Sequence, residues 1–435
     1  MYRLSTMNLS KDSGEIIKLI LPKFKECMIY KNLKNKTALD KLLIKLYNDI
    51  VEGHNFVKYK LKRGCMKAIL KPLGVPEKPE IYESRFFPQT IKTYIEDRGK
   101  YQLTYKCSIN NREITIRFTL FSENDLEHLT KYDNYAHLMY IWLYICDIYS
   151  LKKCANTLSV YVYLTPFDKN LPDKPTTTIG SNNVNTAFTL ACAVNGEIVL
   201  FRKEEWMKVF IHETFHSYGL DFSSYSSSSI KESIKQIFPI QSDFIIEEAY
   251  AETWARIINC AFTSYNSMGE KKKEERKKEF LLYMDFCLQN ERLFALYQCN
   301  KVLNFMGLTY EDIYSNSEKS MYLRKNLYRE DTNVFSYYIL TAILLNDYYG
   351  FMRWCEKNNI GFIRFNSTEK NLRDFGELIK DLYNTKSMHQ GLNCISNSIN
   401  NKLYKNKYAG KSPELLGEQR KWVGNTTRMS CIELL

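Results

Sequence analysis

The segment Ile211-His212-Glu213-Thr214-Phe215-His216-Ser217-Tyr218-Gly219 places two histidines four residues apart, with a glutamate beside the first. On a helix, positions i and i+4 share a face, so two imidazoles can reach one ion at ~2.0–2.1 Å each. Glu213, next to the first histidine, is placed to take a proton from an attacking water as general base without itself ligating the metal. The chain has only six histidines in 435 residues, so composition alone does not account for the pattern. Gly219 suits the C′ position after a helix, and the spacing predicts a helix over 204–218.

Upstream of this helix the periodicity is that of a sheet. Tyr101–Ile109 and Glu113–Phe121 are rich in β-branched and aromatic residues and flank Asn110-Asn111, a pair that tolerates positive φ, which predicts a hairpin. A long apolar-periodic helix is expected from about 123 to 148, lying on that sheet, followed by a strand over 158–164. Residues 185–194 and 197–201 flank Asn195-Gly196 and predict a second hairpin, with 185–194 as the sheet edge beside the cleft.

Downstream, past a serine-rich loop, a helix is expected over 243–262, with Asp243 as N-cap. It carries Ile246-Glu-Glu-Ala-Tyr-Ala-Glu-Thr-Trp-Ala255. Glu248 and Glu252 lie four residues apart on one helical face, a spacing suited to a metal ligand and a carboxylate behind it. Glu247, about 100° further round the helix, competes with Glu248. A third histidine three residues beyond Gly219 would complete a different ligand set, but Phe222 stands there, and Asp221 is a poor substitute.

With H-E-x-x-H at 212–216 and E-A-Y-A-E at 248–252, the chain resembles the gluzincin zinc metallopeptidases, particularly the E-x-x-A-E segment of lethal-factor-type toxins and the E-G-F-A segment of aminopeptidases. The resemblance implies Zn²⁺ held by His212, His216 and Glu248, Glu213 as catalytic base, and Glu252 orienting a histidine ligand. Asn183–Thr189 (N-V-N-T-A-F-T) and Arg202–Trp206 (R-K-E-E-W) are also similar to uncharacterised metallopeptidase-like proteins of large DNA viruses. Lethal-factor-type enzymes place an oxyanion-stabilising tyrosine shortly before the glutamate helix, and residues 238–246 contain none. Tyr218, Tyr225, Tyr337, Tyr338 and His389 are the candidates for that role. His54, His128 and His137 read as surface or core residues.

The net charge of +12 is concentrated near the start: residues 1–100 hold 21 Lys and Arg against 11 Asp and Glu. Such an excess is either a solvated lysine-rich helical surface or a docking face for an anionic partner. No secretory signal and no transmembrane segment is read, which predicts a cytoplasmic or other intracellular location, or the virion for a viral protein. The twelve cysteines form no C-x-x-C pair, and free thiols are expected.

The fold class expected is α+β: a zincin-like core over 99–265 with a twisted mixed sheet, a backing helix and two metal-binding helices. A basic helical region over 1–98 and a mostly helical subdomain over 266–435, loosening after Met388, would flank it. The expected activity is hydrolysis of a peptide or protein substrate. The alternative is a zincin-fold binding or structural protein without turnover, docked to an anionic partner through its basic N-terminal region.

Overall fold

The computed structural model describes residues 7–27, 36–73, 76–269, 272–405 and 422–434. Its centre is a six-stranded mixed sheet of order β1-β2-β3-β4-β6-β5. The strands are β1 (Lys67–Pro72), β2 (Tyr101–Ile109), β3 (Arg112–Leu120), β4 (Thr157–Thr165), β5 (Ala187–Thr189) and β6 (Asn195–Arg202). β2 and β3 form the expected hairpin, with Asn110 at φ 50° in its turn. β3, β4 and β6 run parallel, and the helix Leu129–Tyr149 makes the crossover that a parallel pair requires.

Period-2 alternation assigns the two sheet faces. Leu158, Val160 and Val162 of β4, with Ile198 and Leu200 of β6, enter the main core with the Leu129–Tyr149 helix. Tyr161, Tyr163, Val199 and Phe201 face the other way and pack with Phe87, Ile91 and Ile95. The latter two belong to the short helix Gln89–Arg98, which covers the second sheet face.

Four expectations are corrected. Residues 67–72 were expected to be helical, but they form β1 and pair antiparallel with β2, because tertiary pairing with β2 overrides a weak local pattern. The expected strand 185–194 shrinks to Ala187–Thr189, and Asn195-Gly196 opens β6 instead of forming a two-residue turn. β5 nonetheless lies at the sheet edge. Asp243 does not cap the glutamate helix, which starts at Glu247, and instead forms an ion pair with Lys231. Cysteines are not all free: Cys27 bonds to Cys394 and Cys154 to Cys192, across separations of 367 and 38 residues that no local spacing reveals.

The C-terminal part is helical, as expected, and includes the 33-residue helix Lys273–Phe305. Of the stretch expected to loosen after Met388, residues 406–421 lie outside the described residues. Lys386–Lys405 is a helix, and Thr426, Thr427, Arg428 and Ser430 are fully buried in a strap that runs through the core. Glu291, buried on the long helix, accepts hydrogen bonds from the backbone N–H groups of Cys431 and Ile432 at 2.9 and 2.8 Å. One contiguous core joins residues from Leu42 through the sheet to Ile432. Among the described residues, no helix is long and apolar enough to cross a membrane.

Candidate metal centre and cleft

The helix Trp206–Ser217 follows β6 after a three-residue turn, and all twelve of its side chains are buried. Its far side is fixed by the Trp142 indole N–H, which donates to Thr214 Oγ1 at 2.6 Å. Gly219 ends it at φ +63°, a conformation only glycine adopts at no steric cost. A Cβ there would also sit 2.9 Å from Leu151 Cδ1. The glutamate helix, Glu247–Asn266, packs against it.

This packing brings three donor atoms together. Glu248 Oε2 lies 2.9 Å from His212 Nε2 and 3.3 Å from His216 Nε2, and the two imidazole nitrogens are 3.2 Å apart. A tetrahedral zinc site with bonds of ~2.0–2.1 Å requires ligand–ligand edges of about 3.3 Å, so the triangle matches three corners of such a site. Among the described residues, this is the one group of three His, Cys, Asp or Glu side chains close enough to share an ion.

Each imidazole is aimed by a carboxylate at its other nitrogen, as ligating histidines generally are. His212 Nδ1 lies 3.1 Å from Glu252 Oε2, and His216 Nδ1 lies 2.5 Å from Asp221 Oδ2. Glu252 is in turn clamped by Lys208 Nζ at 3.0 Å and Arg256 Nε at 2.9 Å. Asp221 Oδ1 accepts from Ser223 N at 3.0 Å and from Ser223 Oγ at 2.6 Å.

The electrostatics favour positive charge at the triangle. Burial alone would raise the Glu248 carboxyl, but His216 and His212 hold it well below the usual carboxylate range. Burial would likewise raise Glu252, yet Lys208, His212 and Arg256 keep it well below. Burial lowers His216, but Glu248 and Asp221 outweigh that and raise it well above its ordinary value. Buried carboxylates grouped around two imidazoles thus form a socket suited to a cation.

A cleft of about 280 Å³ opens in front of the triangle. Glu213 lines it beside the two histidines, and burial pushes its carboxyl upward against the pull of His212 and His216. β5 supplies one wall through Ala187, Phe188 and Thr189. Tyr337 supplies another, with its hydroxyl donating to Glu248 Oε2 at 3.1 Å. Burial, with Glu248 and Glu213 nearby, raises this phenol well above its ordinary value, so it remains a donor. Tyr337 sits on the π-helical turn Phe335–Leu340, a local widening of the helix of a kind often found at functional sites.

Of the other oxyanion candidates, Tyr338 donates to the Thr427 carbonyl, and Tyr225 is 37% exposed in the serine-rich loop. Tyr218 is buried under Arg112, and His389 pairs with Asn384. His54 stacks on Tyr265, away from the cleft. Glu247 lines the cleft without joining the triangle, and burial, with Asp221 and Glu248 adding, pushes it up to about 7.

Sequence reasoning weighed Asp221 only as a substitute ligand and missed it as the partner of His216. The available signal was Asp221-Phe-Ser223, an Asx-type turn just past Gly219 that fixes a carboxylate near the helix end. It also missed Asn333, whose amide lies 3.4 Å from Glu248 Oε1.

Fold and site together define an α+β protein with a His-His-Glu cluster, its histidines buried and its glutamate half-buried, at the floor of a cleft beside a sheet edge. No protein-family model, curated protein or solved structure matches the chain.

Proposed function

We propose that the chain is a zinc-dependent metallopeptidase with a zincin-like core, in which His212, His216 and Glu248 hold Zn²⁺ and Glu213 is the catalytic base. The observation that carries this reading is the 2.9, 3.2 and 3.3 Å triangle, with a carboxylate behind each histidine. Bound zinc would polarise a carbonyl oxygen and lower the pKa of a water. Glu213 accepts the proton of the attacking water and delivers it to the leaving amine.

Tyr337 turns its hydroxyl from Glu248 toward the oxygen that gains negative charge, the part left open by the tyrosine-free segment 238–246. An extended peptide adds antiparallel to the free edge of β5, its side chains alternating between the cleft floor and Phe86 and Phe188. The exposed β1, with Lys67 and Lys71 beside Lys62 and Arg63 at the preceding helix end, offers a separate basic face to an anionic partner.

Incubation of the purified protein with a peptide library tests the activity. Cleavage should stop with a strong chelator and return with added zinc. Intact peptides at every zinc level would favour a binding protein without turnover.

A further inference from the structure

The proposed chemistry uses two of the three glutamates in the cleft wall and leaves Glu247 without a task. Glu247 occupies the first turn of the glutamate helix, is only 9% exposed, and has a buried Oε2 with no hydrogen-bond partner. Its charged neighbours are Asp221 and Glu248, which repel it, and His216, which attracts it but already faces Glu248 and Asp221. None of the described residues lining the cleft is Lys or Arg. A divalent cation would be balanced by Glu248 and Glu213, so any charge that Glu247 carries at this wall is surplus to the metal site. A buried carboxylate with an open oxygen is a costly feature unless a ligand completes it. Ile245, Phe86 and Phe188 on the same cleft give apolar surface for the methylene stem of a basic side chain.

We infer that Glu247 is a specificity-determining residue that receives a cationic group of the bound peptide, so that the substrates are peptides presenting an ammonium or guanidinium group to this wall. This rests on the peptide-cleft reading above. The cation has two sources, a Lys or Arg side chain or a free α-amino terminus.

The test measures binding with turnover silenced. Zinc-loaded, full-length Glu213→Gln protein is titrated into C-terminally labelled short peptides, and affinity is read by fluorescence anisotropy. One arm compares N-acetylated peptides bearing Arg or norleucine at each position in turn. The other compares free and acetylated N-termini on a neutral peptide.

In at least one arm the cationic member should bind about tenfold or more tighter, as a charged buried hydrogen bond implies. Glu247→Gln, which keeps the volume and removes the charge, should bring that ratio close to one. A preference confined to the first arm assigns a basic side chain, and one confined to the second assigns the amino terminus. Ratios near one with Glu247 in place, a preference that survives Glu247→Gln, or no binding of any peptide would overturn the inference. Hydrolysis by the wild-type protein is scored separately: a charge-dependent preference without cleavage leaves this inference standing and removes the peptidase reading, and cleavage without preference does the reverse.

Discussion

Asp221→Asn isolates the contribution of the carboxylate behind His216. The native pair is 2.5 Å long, and Asp221 is 2% exposed, so the bond is protected from water and salt. Asparagine keeps the shape and an oxygen able to accept from Nδ1, but it loses the charge that makes the imidazole a better ligand. Outer-shell partners account for about 10- to 100-fold in metal affinity. The isosteric change should fall near the lower end, about tenfold or ~1.4 kcal/mol, and Asp221→Ala near the upper end. With its single oxygen on Nδ1, the asparagine places its NH2 group where Oδ1 accepted from Ser223 N–H, so the metal-free fold should lose about 1–3 kcal/mol, which the unfolding control measures. Zinc affinity measured by competition with a chromogenic chelator, with thermal unfolding of the metal-free protein as control, gives both quantities. An affinity within twofold of wild type would refute the role, as would a loss as large as that from removing a direct ligand. The corresponding change at Glu252 is less clean. Lys208 and Arg256, each at most 2% exposed, would be left buried without their carboxylate, at a cost of about 3–5 kcal/mol that mixes folding with metal binding.

Three further outcomes are expected. Glu213→Gln should retain stoichiometric zinc and lose about 10²- to 10⁴-fold in kcat, and full activity in the purified variant would remove Glu213 as the base. Tyr337→Phe should lower kcat by about 10²- to 10³-fold with KM and zinc content little changed, whereas a loss expressed in KM alone would make the hydroxyl a binding group. His54 is lowered to about 4 by burial, with Arg276 adding, so only the unfolded chain takes up its proton between about pH 6.5 and 4. Stability should therefore fall with decreasing pH in that window by at most about 1.4 kcal/mol per unit, and urea unfolding of His54→Gln should show a shallower slope. Equal slopes would show that His54 does not contribute.

The sequence carried the local chemistry further than the long-range assembly. Histidines at i and i+4 and a glutamate pair with the same spacing point to one face each, but spacing leaves Glu247 open beside Glu248, and the resemblance to gluzincins is what singles out Glu248 and Glu252. β2 and β3 were readable because alternation and an Asn-Asn turn agree. β1 was not, because Lys67–Pro72 has no buried face of its own and its pairing is decided by β2. The strap at 422–434 was hidden for a related reason: its polar residues Thr426, Thr427, Arg428 and Ser430 look solvent-loving, and only partners such as Glu204, Glu291 and Glu433 make their burial tolerable. The choice of Tyr337 among the candidate donors depended on a π-helical turn more than 80 residues from Glu248, which no spacing rule anticipates.

Glu248 decides between a metal centre and two histidines that share a helix by accident, since two imidazoles alone leave a zinc site incomplete. The direct measurement is metal analysis of purified Glu248→Ala and Glu247→Ala after dialysis against a weak chelator. The account predicts one zinc per chain in wild type and in Glu247→Ala, and far less in Glu248→Ala. Stoichiometric zinc in Glu248→Ala would contradict it.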